Sequence, residues 1–220
     1  MMEPPQLRWA FIRKVYAIIA MQFLLTAAVA AVVVFAKPIP RFLTTGTSGL
    51  AVLIVAIILP LVILCPLIVY RKHHPCNFIL LMLFTITISF TLGVVCAFTK
   101  GRIILEAALL TAVAVLGLTL YTFWAVKKGK DFSFLGPFLF ASILVLIVFG
   151  IIKIFFPLGK LAHMIYGLLG AIIFCGYIVY ETDKLIKSYT YDEYIMAAID
   201  LCLDIYNFIF LVNVLSAADC

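Results

Sequence analysis

The sequence predicts an all-α, polytopic membrane protein with seven transmembrane helices. Three observations predict it. Of the 220 residues, 66% are hydrophobic and only 12% are charged. The mean hydropathy is +1.26. Seven apolar runs of about 20 to 24 residues each supply roughly 30 to 36 Å of helix, enough to cross about 30 Å of hydrocarbon. The polar stretches between them are too short to build a soluble domain. The chain therefore reads as a cytosolic N-terminal segment over residues 1–14, a transmembrane domain over 15–216 and a short tail over 217–220.

The first run, Val15–Ala36, follows the basic stretch "LRWAFIRK". Its apolar core is longer than that of a secretory signal, so it is kept as a membrane helix. The second, Gly49–Tyr70, contains Pro60 and Pro66. Each removes a backbone donor, and kinks are expected there. Asn77–Phe98 and Ile103–Val126 follow without a proline, and Phe134–Phe156 has Pro137 near its start. Leu161–Tyr180 carries Gly167, Gly170, Ala171 and Gly176, small residues that predict close helix packing. Ile195–Ser216 is the last. The two longest connections, "KPIPRFLTTGTS" and "ETDKLIKSYTYDEY", have loop composition. No internal repeat argues for an inverted-repeat transporter.

Charge sets the direction. With the N-terminus in the cytosol, ten of the sixteen Lys and Arg residues lie inside, among them Arg8, Arg71, Lys127, Lys184 and Lys187. Lys37, Arg41, Lys100, Arg102, Lys153 and Lys160 lie outside. The bias favours that orientation. The net charge of +6 is thus a matter of topology and not of nucleic-acid binding. Six cysteines without C-x-x-C spacing read as small hydrophobes, with no disulfide framework and no zinc site. His73 and His74 in "YRKHHP" read as loop residues, and His163 as interfacial. No cofactor is expected.

The chemistry lies in the acids of the membrane. Asp200 and Asp204 are four residues apart in the last span, so they share one helix face about 6 Å apart, and Asn207 extends that stripe. A central Asp costs about 2.5 to 3.5 kcal/mol to insert, and a strong apolar residue returns about 0.3 to 0.6. The twelve Leu, Ile, Phe and Val residues of this span therefore roughly cancel two aspartates. Such a pair turns toward protein or water, where it shares a proton, pairs with a base or binds a cation. A single protonated, hydrogen-bonded aspartate that only glues helices together is the plainer alternative. Glu181 and Asp183 follow the sixth span, and Arg71 ends the second, all on the cytosolic side. Four acids and a base in one half of the membrane suggest a cation gate. Glu106, near the outer end of the fourth span, reads either as an interfacial glutamate or as the lumenal mouth of an ion path.

The stretches "LRWAFIRKVYAIIAMQ", "LTLYTFWAVKKGKDFSFLG", "FCGYIVYETDKLI" and "DEYIMAAIDLCLDIYNFIF" resemble the Bax inhibitor family. Within it the chain is similar to the lifeguard branch, the plant-type lifeguards and Golgi anti-apoptotic proteins. The resemblance runs from about Leu7 to Leu215. It implies the Bax-inhibitor fold, seven helices with the last one central. It also implies a pH-sensitive calcium leak channel of internal membranes (ER, Golgi or vacuole) that lowers lumenal calcium and suppresses programmed cell death; the plasma membrane is the alternative location. Two acids carry that mechanism in the family, one in a Y-D-T motif and one in L-Y-L-D-I-I-N-L-F. By motif they fall on Glu181 of "YETD" and Asp204 of "LCLDIYNF", which would meet calcium transiently, with Arg71 as the latch of the closed state. Glu106 also matches a family acid. Glu181 replaces the usual Asp, Cys202 a usual Tyr and Tyr206 a usual Ile, and Asp200 is an extra charge.

The partners so implied are the bilayer, calcium, protons and other membrane proteins. The chain is not expected to be an enzyme. An intramembrane aspartyl protease would show G-x-G-D and P-A-L motifs, and neither occurs. A retinal protein needs a lysine in its last helix, and the last span has none. The alternative function is a membrane-embedded scaffold that regulates cell death by binding partners without conducting ions.

Overall fold

The computed structural model describes residues 5–36, 38–44, 46–70, 73, 75–99, 101–156, 159–190 and 193–218. Among them every regular element is a helix: α1 Pro5–Phe35, α2 Pro38–Thr44, α3 Gly46–Val69, α4 Cys76–Ala97, α5 Gly101–Lys127, α6 Leu135–Phe155, α7 Lys160–Lys187 and α8 Tyr194–Ala218. Seven are long and apolar enough to cross a membrane, and α2 is a short helix of seven residues. The chain is an integral membrane protein of the predicted class.

Three boundaries differ from the sequence reading. Helix α1 begins at Pro5, ten residues before its apolar run. Proline suits that first position because its missing N–H has no helical acceptor there. The connection "KPIPRFLTTGTS" is partly helical, as α2. Most consequentially, α7 runs two turns past Tyr180 to Lys187. The segment "ETDKLIK" is therefore helix and not loop, because its acids precede its bases by three and four residues, a spacing that supports a helix as well as it suits water.

The helices gather into two compact units. In the first, α4 packs along α1 and α3, and α2 packs on α3. The α1–α4 seam is polar. Gln22 Nε2 donates to Thr85 Oγ1 at 3.0 Å, and one turn on Ser89 Oγ donates to Thr26 Oγ1 at 2.8 Å. All four side chains are buried. Interhelical hydrogen bonds of this kind hold membrane helices together where burial in lipid gives no apolar drive. Helix α3 runs unbroken through Pro60 and Pro66. Pro60 has no N–H for the carbonyl of Ala56, and Thr91 Oγ1 of α4 supplies that bond at 2.9 Å. The α2–α3 turn depends on Gly49. A Cβ there would collide with the backbone oxygen of Phe42 and come within 2.7 Å of that of Leu43. Neither backbone atom can step aside. Gly49→Ala is expected to lower stability by about 1–3 kcal/mol, as overpacking does. Gly117→Ala, with open space at its Cβ, is expected to stabilise by up to about 1 kcal/mol. Thermal melting of the two variants checks this.

In the second unit α7 packs against α5 and α6. Ala107 of α5, Leu146 of α6, Phe174 of α7 and Phe208, Leu211 and Val212 of α8 form one apolar core. The small residues of α7 work as expected. A Cβ on Gly170 would lie 2.6 Å from Leu211, and one on Gly176 would lie 2.8 Å from Leu139. Helix α8 is the most protein-enclosed of the seven spans, 61% buried against 11% to 33% for the others. A helix so enclosed keeps its aspartates from lipid.

A carboxylate cluster on α7 and α8

The extension of α7 positions the site. Glu181 and Asp183 are two residues apart, about 200° around the helix, so they point to opposite sides. Each finds a lysine one turn on. Glu181 pairs with Lys184 and Asp183 with Lys187, an acid-before-base order that suits the helix and its C-terminal dipole.

The Lys187 side is tight. Its ammonium lies 2.6 Å from Asp183 Oδ1 and donates to Asp131 Oδ1 at 2.9 Å and to the Lys130 carbonyl at 3.0 Å. Two hydrogen bonds and one close ion pair converge on this ammonium. Asp183 is buried, while Asp131 sits exposed in the α5–α6 loop, where Ser133 also donates to it. Hydrogen bonds from Lys187, then from Ser133, hold the Asp131 carboxyl well below the usual carboxylate range. A depressed carboxylate contributes stability above its ordinary pKa and loses it only as pH falls through the lowered value. This link therefore stays closed throughout the physiological range.

The Lys184 side is looser. Its ammonium stands 3.3 Å from both oxygens of Glu181 and 3.6 Å from Asp200 Oδ2. Tyr189, turned back over the end of α7 by a bond from its N–H to the Lys184 carbonyl, completes the group. Its hydroxyl lies 2.5 Å from Asp200 Oδ2 and 3.4 Å from Glu181 Oε2. One proton serves the nearer acceptor, Asp200. Burial, then the carboxylates of Asp200 and Glu181, raise the Tyr189 phenol well above its ordinary value, so it remains a donor. Asp204 lies one turn further along α8, buried, and its Oδ2 accepts no hydrogen bond. Two carboxylates thus share one lysine, and the third has no base in contact.

The structure brings Glu181, Asp200 and Asp204 into this cluster and leaves other candidates outside it. Asp183 belongs to the Lys187 side. Asn207 is exposed and donates to the Leu203 carbonyl at 2.9 Å. Glu106 is paired with Arg102 at 2.8 Å on the surface of α5. Because that pair is solvent-exposed, Glu106→Gln is expected to change stability by no more than about 0.5 kcal/mol in a melting experiment. His73 and His163 are exposed, and the His73 ring lies edge-on to Tyr70. Arg71 and His74 lie outside the described residues. Sequence reading missed Lys184, Lys187 and Tyr189 as site residues. The signal was the i,i+3 and i,i+4 acid–base spacing within "ETDKLIK". Among the described residues no three His, Cys, Asp or Glu side chains converge closely enough to hold a metal ion. Calcium takes six to eight oxygens, so this arrangement is no preformed calcium cage.

Comparison with known proteins places the chain. The model of the family described as "Inhibitor of apoptosis-promoting Bax1" matches residues 8–220. The chain is 60% identical to Protein LIFEGUARD 4 of Arabidopsis thaliana over 220 residues, covering 100% of this chain and 89% of that protein. It is 57% identical to Protein LIFEGUARD 2 of the same plant, covering 100% and 92%. It is 37% identical to the Golgi anti-apoptotic protein of Vaccinia virus (strain Lister), covering 97% and 87%. With the family model matched from Arg8 to the last residue, and lifeguard proteins similar along the whole chain, this protein belongs to the Bax inhibitor family, in its lifeguard branch.

Proposed function

We propose that this protein is a pH-sensitive calcium leak channel of internal membranes that lowers lumenal calcium and suppresses programmed cell death. One observation carries the reading. Two carboxylates, Glu181 and Asp200, share a single lysine, and a third, Asp204, lies one turn along α8 with its Oδ2 buried and without a hydrogen bond. A buried acidic group short of positive charge draws either protons or cations, and the two compete for it. Conduction and pH sensing then reside in the same atoms. The Lys and Arg bias orients the cluster toward the cytosol. Glu106, at the other end of the bundle sequence, serves the lumenal mouth, and Arg71 serves as a latch of the closed state. Calcium passes as substrate, and the protein needs no cofactor and performs no covalent chemistry. The name of the viral relative, a Golgi anti-apoptotic protein, supports an endomembrane location and a role in cell death.

The test is calcium flux from liposomes containing the purified chain, read with an indicator dye across about pH 5 to 8. A flux that changes with pH supports the reading. No flux above empty liposomes, with cell-death suppression intact in Asp204→Asn, would establish the scaffold alternative instead.

A further inference from the structure

We infer that Lys184 is a built-in competitor for the permeant cation: its ammonium fills the place between Glu181 and Asp200 that a divalent ion must take to reach Asp204. The inference rests on the channel reading above and names how its site is regulated.

The geometry separates two lysines that sequence treats alike. Charge-assisted N–H···O bonds are typically about 2.7 to 2.9 Å long. Lys187 is held at least that closely, with a hydrogen bond of 2.9 Å to Asp131 and an ion-pair contact of 2.6 Å to Asp183. Lys184 is not: all its carboxylate contacts are 3.3 to 3.6 Å. Lys187 is a clamp, and Lys184 is a charge held loosely among acceptors. Lys184 also covers the open side. Its side chain is 34% exposed, against 10% for Glu181 and 20% for Asp200. Its ammonium stands 4.9 Å from the centre of the Tyr189 ring, a face on which a displaced cation can rest.

A second observation points inward. Asp204 is nine-tenths buried, with an oxygen that has no hydrogen-bond partner. The carboxylates of Glu181 and Asp200 repel its charge, and the Lys184 ammonium attracts it. The ammonium contacts Glu181 and Asp200 but not Asp204, so the acids at this end outnumber the charge that Lys184 brings. Tyr189 keeps Asp200 in place meanwhile, by donating to the same Oδ2 that faces Lys184. A lysine is suited to this task because its charge sits on a flexible four-carbon stem and can swing away without leaving the helix.

The test is binding of calcium and of terbium(III), read by tyrosine-sensitised terbium luminescence and its displacement by calcium, on the full chain in detergent. Lys184→Met keeps the stem and removes the charge. It is expected to tighten the calcium midpoint about tenfold or more, while Lys184→Arg, which keeps the charge, stays within about threefold of wild type. A Lys184→Met midpoint equal to or weaker than wild type, with an unchanged melting profile, overturns the proposal. Where Lys184→Met fails to fold, Lys184→Gln is read by the same criteria. If liposome flux persists while the Lys184→Met midpoint does not move, the channel reading stands and the competitor is refuted. If no variant binds terbium or passes calcium, the channel reading itself fails.

Discussion

Asp204→Asn is expected to abolish most of the pH dependence of calcium flux while leaving the protein folded. Asp204 is the acid with no base of its own: Lys184 contacts Glu181 and Asp200, and Asp204 Oδ2 is buried without a hydrogen bond. Asparagine has the same shape and no titratable proton. A protonation difference worth one pKa unit corresponds to about 1.4 kcal/mol, or a tenfold change in rate. Wild-type flux is thus expected to vary about tenfold between roughly pH 5 and 8, and the variant by no more than about twofold. Stability is expected to hold or rise, because the substitution removes a buried carboxyl that no partner repays. Liposome flux and melting, measured on the same preparations, check both halves. A full pH response in the variant would remove Asp204 from the mechanism.

Lys187→Met is expected to be the most destabilising single change at this end of the molecule. It strands Asp183, a buried carboxylate whose oxygen lies 2.6 Å from the missing ammonium. Breaking a buried ion pair from one side costs about 3–5 kcal/mol, and the partial exposure of Lys187 lowers that to about 2–4 kcal/mol. For a chain of this size the melting temperature should fall by roughly 5 to 12 °C. The double variant Asp183→Asn with Lys187→Met should recover much of the loss, since no unpaired charge stays behind. Asp131→Asn alone should cost little, because that partner is exposed. A Lys187→Met protein that melts within about 1 °C of wild type would show that the clamp contributes nothing.

The two experiments bear on what the sequence made legible. The seven spans were readable because 20-residue apolar runs have few other uses in a chain so poor in charge. The aspartates of the last span were readable because their insertion cost stands out against the apolar residues around them. The other half of the site was not. "ETDKLIK" has five polar residues to two apolar ones, Leu185 and Ile186, too few to extend the apolar run before it. Only the continuation of α7 reveals that its lysines face its acids. Tyr189 was hidden for a different reason: it reaches Asp200 through the shape of a turn, which no residue spacing encodes. The polar seam of Gln22, Thr26, Thr85 and Ser89 was equally silent, since Thr and Ser pass unnoticed in membrane helices by bonding their own backbone.

Pro60 also bears on how the protein is assembled. A membrane helix inserted alone normally presents a sealed backbone, so any apolar neighbour is as acceptable as another. Helix α3 enters the bilayer with the carbonyl of Ala56 unsealed, an acceptor that lipid cannot satisfy. Thr91 of α4 closes it. The proline thereby acts as an address written into the backbone: it marks one height on α3 and rewards the one neighbour that brings a hydroxyl to that level. Misregistered or exchanged helix pairs leave the carbonyl open and are disfavoured, so a residue usually counted as a helix breaker here selects the correct partner.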